Sequence, residues 1–146
     1  MEKKDKELLL KDLCARLPYG LKYNFGGYDG CDYTMYKVSL NAVDDNFPIE
    51  DVKPYLFPLS SMTEEEAKEL SILYGIKDIL SINITDEYID FKVDDGFCSF
   101  ERKTIWYNEI ISSTETFDWL NKNHFDYRGL IPMGLAIDAT GLNIYC

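Results

Sequence analysis

The sequence predicts an α+β fold: one domain, a mainly antiparallel sheet, and about three helices packed against it. Three observations carry this. The 146 residues are 46% hydrophobic, enough to bury a core without metal or disulfide staples. Aromatics reach 14%, with 11 Tyr and 8 Phe, a content that suits the pleated surface of strands better than a helical bundle. Helical and strand periodicities also alternate along the chain, without a Gly- or Ser-rich linker or an internal repeat, so one domain of residues 1–146 is the simplest count.

The first helix is expected over residues 4–17. Leu10, Leu13, Cys14 and Leu17 recur at helical spacing, Lys11, Asp12 and Arg16 take the opposite side, and Pro18 and Gly20 end the element. A short strand follows in LKYNF, then a turn in GGYDG at 26–30. In YTMYKVSLNAV, Tyr36, Val38, Leu40 and Ala42 alternate onto one face of a second strand. Pro48, Pro54 and Pro58 make residues 44–61 irregular or extended, because proline lacks an amide donor and turns the preceding residue away from helix.

The second helix has the strongest start signal. Thr63 and Glu66 form a capping box, Glu64, Glu65 and Glu66 suit the positive end of the helix dipole, Ala67, Leu70 and Tyr74 make the inner stripe, and Gly75 ends it. That gives the three glutamates a complete structural role, with no need for a metal. Strands are expected at 79–84 and 88–93, and a third helix over 113–124 with Ser112 and Glu115 as its capping box. Phe117, Leu120 and His124 would share its inner face. The glycine- and proline-bearing tail from Tyr127 reads as loops and short extended pieces.

FKVDDGFCSFERK, residues 91–103, raises the one catalytic possibility. With Asp95-Gly96 as a two-residue turn, Asp94 would face Phe97, Phe91 would face Phe100, and Asp90 would face Glu101. Ile89, Phe91, Val93, Cys98 and Phe100 would fill the buried face, and Asp90, Lys92, Ser99, Glu101 and Lys103 the other. Asp90 opposite Glu101, with Lys103 two residues on, has the outline of a metal-dependent phosphodiester hydrolase: paired carboxylates hold a divalent ion and the lysine positions water. The plainer expectation is a polar sheet face open to water, with both carboxylates exposed and no ion between them.

Charge supports the plainer expectation. The net −11, from 26 acidic against 15 basic residues, has the wrong sign for a chain that neutralises phosphates, so nucleic acid is not an expected partner. The four cysteines, Cys14, Cys31, Cys98 and Cys146, form no close pair, and one histidine excludes a His-based zinc site. No cofactor motif appears: GxSxG, Walker A and GxGxxG are absent, and GGYDG lacks the following Lys-Ser/Thr and helix of a phosphate loop. His124 reads as a helix-end residue interacting with the dipole rather than a general base. No stretch is long and apolar enough for a signal h-region or membrane span, so a cytoplasmic chain with reduced thiols and no membrane partner is expected. Tyr19, Tyr23, Phe25, Tyr28, Tyr33 and Tyr36 crowd the N-terminal third, as core residues or as a tyrosine-rich binding patch.

LLKDLCARLPYG (residues 9–20), IEDVKPYLFPLSSMTEEEAKEL (49–70) and FDWLNKNHFDYRGLIPMGLAIDATGLNIY (117–145) resemble a group of small uncharacterised proteins of gut anaerobes, their phages and other mobile elements. The resemblance implies an intracellular, mobile-element setting and a divergent middle that contains Asp90, Glu101 and Lys103. It implies no activity, cofactor or ligand. The leading functional expectation is therefore a non-enzymatic chain acting through contacts with a protein partner. The alternatives are the Asp90/Glu101/Lys103 hydrolase and a small-molecule-binding module.

Overall fold

The computed structural model describes residues 2–25, 32–34 and 49–145. The fold is α+β, with three α-helices and two mostly antiparallel sheets among those residues. Contacts gather the chain into two compact units, residues 1–57 with 121–146, and residues 58–120. The turn expected in GGYDG, the strand face of Tyr36, Val38, Leu40 and Ala42, the aromatics Tyr28 and Tyr36, and Cys31 and Cys146 lie outside the described residues.

In the first unit, helix α1 spans Lys3–Arg16 and runs into a 3-10 turn at Leu17–Tyr19, where Pro18 falls near its start and Gly20 closes it at φ 66°. Its buried stripe is displaced by one residue from the expected one. Leu9, Asp12, Leu13 and Arg16 face inward, whereas Cys14 is exposed. The same i, i+3, i+4, i+7 spacing holds, but two of its four positions are charged, which an apolar-only reading passes over.

The sheet of this unit has strand order β2-β1-β3-β7, from β1 (Lys22–Phe25), β2 (Asp32–Thr34), β3 (Val52–Pro58) and β7 (Phe125–Asp126), with β8 (Ile137–Asp138) paired parallel to β3. Proline-bearing β3 is therefore an interior strand, with Tyr23 opposite Pro54 and Phe25 opposite Val52. Leu9, Leu13, Leu21, Ile49, Val52, Leu56 and Leu130 form the apolar core. The tail is turns around short strands, as its glycines and proline predict. Asp126 shapes its start by accepting the amides of Leu130 and Ile131, both at 2.9 Å.

The second unit opens with a 3-10 turn at Leu59–Ser61 and helix α2, Glu64–Leu73. The capping box is present in both directions: Glu66 N donates to Thr63 Oγ1 at 3.2 Å, and Thr63 N donates to Glu66 Oε1 at 2.9 Å. At the other end Gly75 takes φ 71°, its amide reaching Ile72 O at 3.1 Å while Ile76 N reaches Ser71 O at 2.9 Å. This is a Schellman closure of the last carbonyls. Ala67 and Leu70 are buried on its inner face.

Strands β4 (Ile79–Ile84), β5 (Tyr88–Asp94) and β6 (Phe100–Trp106) form an antiparallel sheet in that order. Ile89, Phe91 and Val93 alternate into the core, with Ile82 opposite Phe91 and Ile105 opposite Ile89. Helix α3, Thr114–Lys122, starts one residue later than expected. Ser113 rather than Ser112 caps it, accepting from Thr116 N at 3.2 Å, so Glu115 is not the third residue of a box. No helix among the described residues is long and apolar enough to cross a membrane.

Candidate interaction surface

The hairpin register decides the site. Residues 95–99 form a five-residue loop closed by Asp95 N to Ser99 O at 3.3 Å, not a two-residue turn. Asp94 Oδ1 accepts Gly96 N at 2.9 Å, and Asp95 Oδ1 accepts Phe97 N at 2.8 Å and Ser99 N at 3.3 Å. Gly96 at φ 81° and Cys98 at φ 62° supply the left-handed bends. Two aspartates bonding to following amides hold a wider loop than the Asp-Gly pair alone would select.

As a result Asp94 faces Phe100 instead of Phe97. An odd shift turns every β6 side chain to the other face. Phe100, expected in the core, is 49% exposed, and Cys98 is exposed too. Glu101 faces Val93, Lys103 faces Phe91, and Asp90 faces Thr104. Cross-strand partners share a face, so Asp90 lies on one side of the sheet and Glu101 with Lys103 on the other.

The structure thus does not bring the hydrolase residues together. Asp90 accepts Thr104 Oγ1 at 3.0 Å and lies 3.8 Å from Arg102 Nε. Glu101 pairs instead with Lys103 along the same strand at 3.7 Å, both side chains largely in solvent. No group of three or more His, Cys, Asp or Glu side chains that could hold a metal occurs among the described residues.

His124 is not a helix-dipole cation. It sits just beyond α3 at φ 61°, its amide bonded to Asn121 O, with its ring buried and stacked on Tyr145 at 3.7 Å and 11°. Burial, reinforced by the nearby Arg16 guanidinium, pushes its pKa down to about 4, so the imidazole is neutral at pH 7. Tyr145 is anchored in turn: its hydroxyl donates to Tyr55 O at 2.7 Å and accepts Lys22 N at 3.0 Å, and burial pushes its pKa up to about 12.

A buried charge network lies in the same unit and was not legible as one in the sequence. Arg16 Nε donates to Asp12 Oδ2 at 2.8 Å, Arg128 Nε donates to Asp12 Oδ1 at 3.1 Å, and Arg16 Nη2 donates to Phe125 O. The Tyr127 ring lies 5.0 Å from each guanidinium carbon, and its hydroxyl donates to Asn121 Oδ1 at 2.6 Å. The network is an internal clamp joining α1 to the tail, closed to any substrate because Asp12 and Arg16 are fully buried.

Two open clefts also lie among the described residues. One of about 520 Å³ is lined by Phe57, Ala139, Gly141, Asn143, Ile144 and Tyr145, and offers no free acid or base, since the Tyr145 hydroxyl is engaged. The other, about 390 Å³, is lined by Glu87, Trp106, Tyr107 and Asn108 and lies at the end of β6. The chain matches no family model, no curated protein and no solved structure.

What the register leaves in solvent is β6 itself. Among the described residues it pairs with β5 alone, so its other backbone edge is unpaired, and six of its seven residues are exposed. On its outer face Phe100, Arg102, Thr104 and Trp106 stand beside Asp94, Lys92, Asp90 and Tyr88 of β5. Lys92 Nζ lies 3.9 Å from the Phe100 ring centre, and Tyr88 and Trp106 rings meet at 4.9 Å. The surface is thus an aromatic residue at each end of an open strand edge, with cations between them.

Proposed function

We propose that the chain is a non-enzymatic protein-binding module whose β6 edge receives an extended segment of a protein partner. The carrying observation is the seven-residue edge strand Phe100–Trp106, exposed at all but Ile105 and unpaired on one side among the described residues. In strand addition, the free amides and carbonyls of such an edge supply affinity, and flanking side chains supply selectivity. Trp106 and Phe100 are the anchors this edge offers, since aromatic side chains dominate interface energetics. The intracellular, mobile-element setting is part of the proposal and rests on the likeness of residues 9–20, 49–70 and 117–145 to the small mobile-element proteins.

The test is a selection from a random peptide library on the purified chain, with binding sites mapped by amide chemical shifts. Enriched peptides should perturb residues 100–106 and lose about tenfold or more in affinity for Thr104→Pro, which removes one edge amide and can be checked for folding by circular dichroism. Peptides that map elsewhere, or that bind the proline variant equally well, would refute the assignment of β6.

A further inference from the structure

We infer that the β6 edge pairs antiparallel with β6 of a second copy of this chain, with Thr104 on the two-fold axis. This rests on the reading of β6 as a strand-addition edge and names its occupant.

Open edges invite pairing with another chain, and proteins that avoid it place charges or proline there. Within β6 there is no proline, and its two charges on the core-side face, Glu101 and Lys103, neutralise each other at 3.7 Å. The remaining charge, Arg102, stands on the outer face between Phe100 and Thr104. The edge is therefore selective rather than closed, and its charge pattern chooses among partners.

A second copy must satisfy that pattern against itself. A two-fold axis perpendicular to the sheet keeps the outer faces of both copies on the same side and passes midway between one residue and its own copy. Three axis positions give a ladder of five residues or more. An axis at Arg102 sets Arg102 against its own copy, and its Glu101–Lys103 pairs across the axis only exchange the pairing that each strand already holds at 3.7 Å. An axis at Lys103 sets Lys103 against its own copy. Like charges directly opposite are destabilising.

An axis at Thr104 sets no charge against a like charge. It places Thr104 opposite Thr104, Lys103 opposite Ile105, and Arg102 opposite Trp106 twice over. Thr–Thr is a favourable cross-strand pair, and a guanidinium facing an exposed indole is a cation–π pair. Trp106 is 46% exposed and Arg102 72% exposed in its side chain, so each is available to the other copy. The short ladder carries a modest affinity, which makes the assembly concentration-dependent.

The experiment has two arms. Analytical ultracentrifugation of the unaltered chain should show monomer passing to dimer with rising concentration, and Thr104→Lys, which puts like charges on the axis, should hold it monomeric. In a background with Cys14, Cys31, Cys98 and Cys146 replaced by Ser, single cysteines at 102, 103 and 104 are oxidised. Facing Cβ atoms of a cross-strand pair come close enough for a disulfide only at the axis, so Thr104→Cys should cross-link about fivefold more than Arg102→Cys or Lys103→Cys. Strongest cross-linking at 102 or 103 would overturn the axis. A chain that stays monomeric throughout, without cross-linking at 104, would overturn self-pairing. If selected peptides still dock on β6 of that monomer, the binding-module reading stands and its occupant is a different protein. If they do not, both readings fall.

Discussion

Arg16 and Asp12 lie one helical turn apart in α1, Nε to Oδ2 at 2.8 Å, with neither side chain exposed to solvent. Removing two charges from water is costly unless geometry and further hydrogen bonds compensate. Here the compensation comes from the chain's far end: Arg128 takes the second Asp12 oxygen and Phe125 O takes the second Arg16 nitrogen. The pair is a fold-specifying clamp rather than a surface helix bridge.

Breaking that clamp should be severe. Asp12→Ala leaves two guanidinium groups without their carboxylate, and Arg16→Met leaves Phe125 O without its donor. Each should lower unfolding free energy by about 3–5 kcal/mol in urea titrations. Arg16→Lys should not rescue the loss, because one ammonium cannot span both acceptors as the guanidinium fork does. A loss below about 1 kcal/mol for Asp12→Ala, the size of a surface pair, would contradict the clamp.

Acid should weaken the fold through His124. Its pKa is lowered from 6.5 to about 4 in the folded chain, so between those values the unfolded chain binds the extra proton. Stability from this group is complete above about pH 6.5 and falls as pH drops towards 4, by at most about 3 kcal/mol. Denaturant midpoints measured from pH 7 to pH 4 should decline in the unaltered chain and decline less in His124→Gln. Equal slopes in both would show that His124 does not titrate in this way.

The β5–β6 register separates two phenylalanines that sequence pattern alone treats alike. Phe91 is fully buried, so Phe91→Ala should cost about 3–5 kcal/mol. Phe100 is half in solvent, so Phe100→Ser should stay within about 1 kcal/mol. Comparable losses from both substitutions would restore the register of a two-residue turn.

The α2 cap gives a smaller, local effect. Thr63→Ala removes the side-chain acceptor of Glu66 N and should cost about 1 kcal/mol, read as a shift in thermal midpoint. An unchanged midpoint would mean that the exposed cap is replaced by water at no cost.

The elements legible in the sequence are those whose causes are local. Thr63, Glu66 and Gly75 fix both ends of α2 through bonds spanning at most five residues, so their spacing sufficed. The alternation of Ile89, Phe91 and Val93 likewise declared a strand and its buried face. The candidate site was not legible to the same degree. Reading Asp95-Gly96 as the whole turn set Asp90 against Glu101, whereas the aspartate-to-amide bonds of the loop moved β6 and turned Phe100 outward.

By itself, then, the sequence determined the α+β class, the three helices, the strands at 79–84 and 88–93 and the charge balance, because periodicity, capping and composition act within a few residues. Tertiary structure decided which face of β6 meets water, that His124 is buried and neutral, and that Asp12 and Arg16 belong inside. Those outcomes depend on partners distant in the chain: Arg128 reaches Asp12 across 116 residues, and Arg16 reaches Phe125 across 109. A local pattern gives a charged residue in a helix no reason to turn inward; only the partner waiting there does.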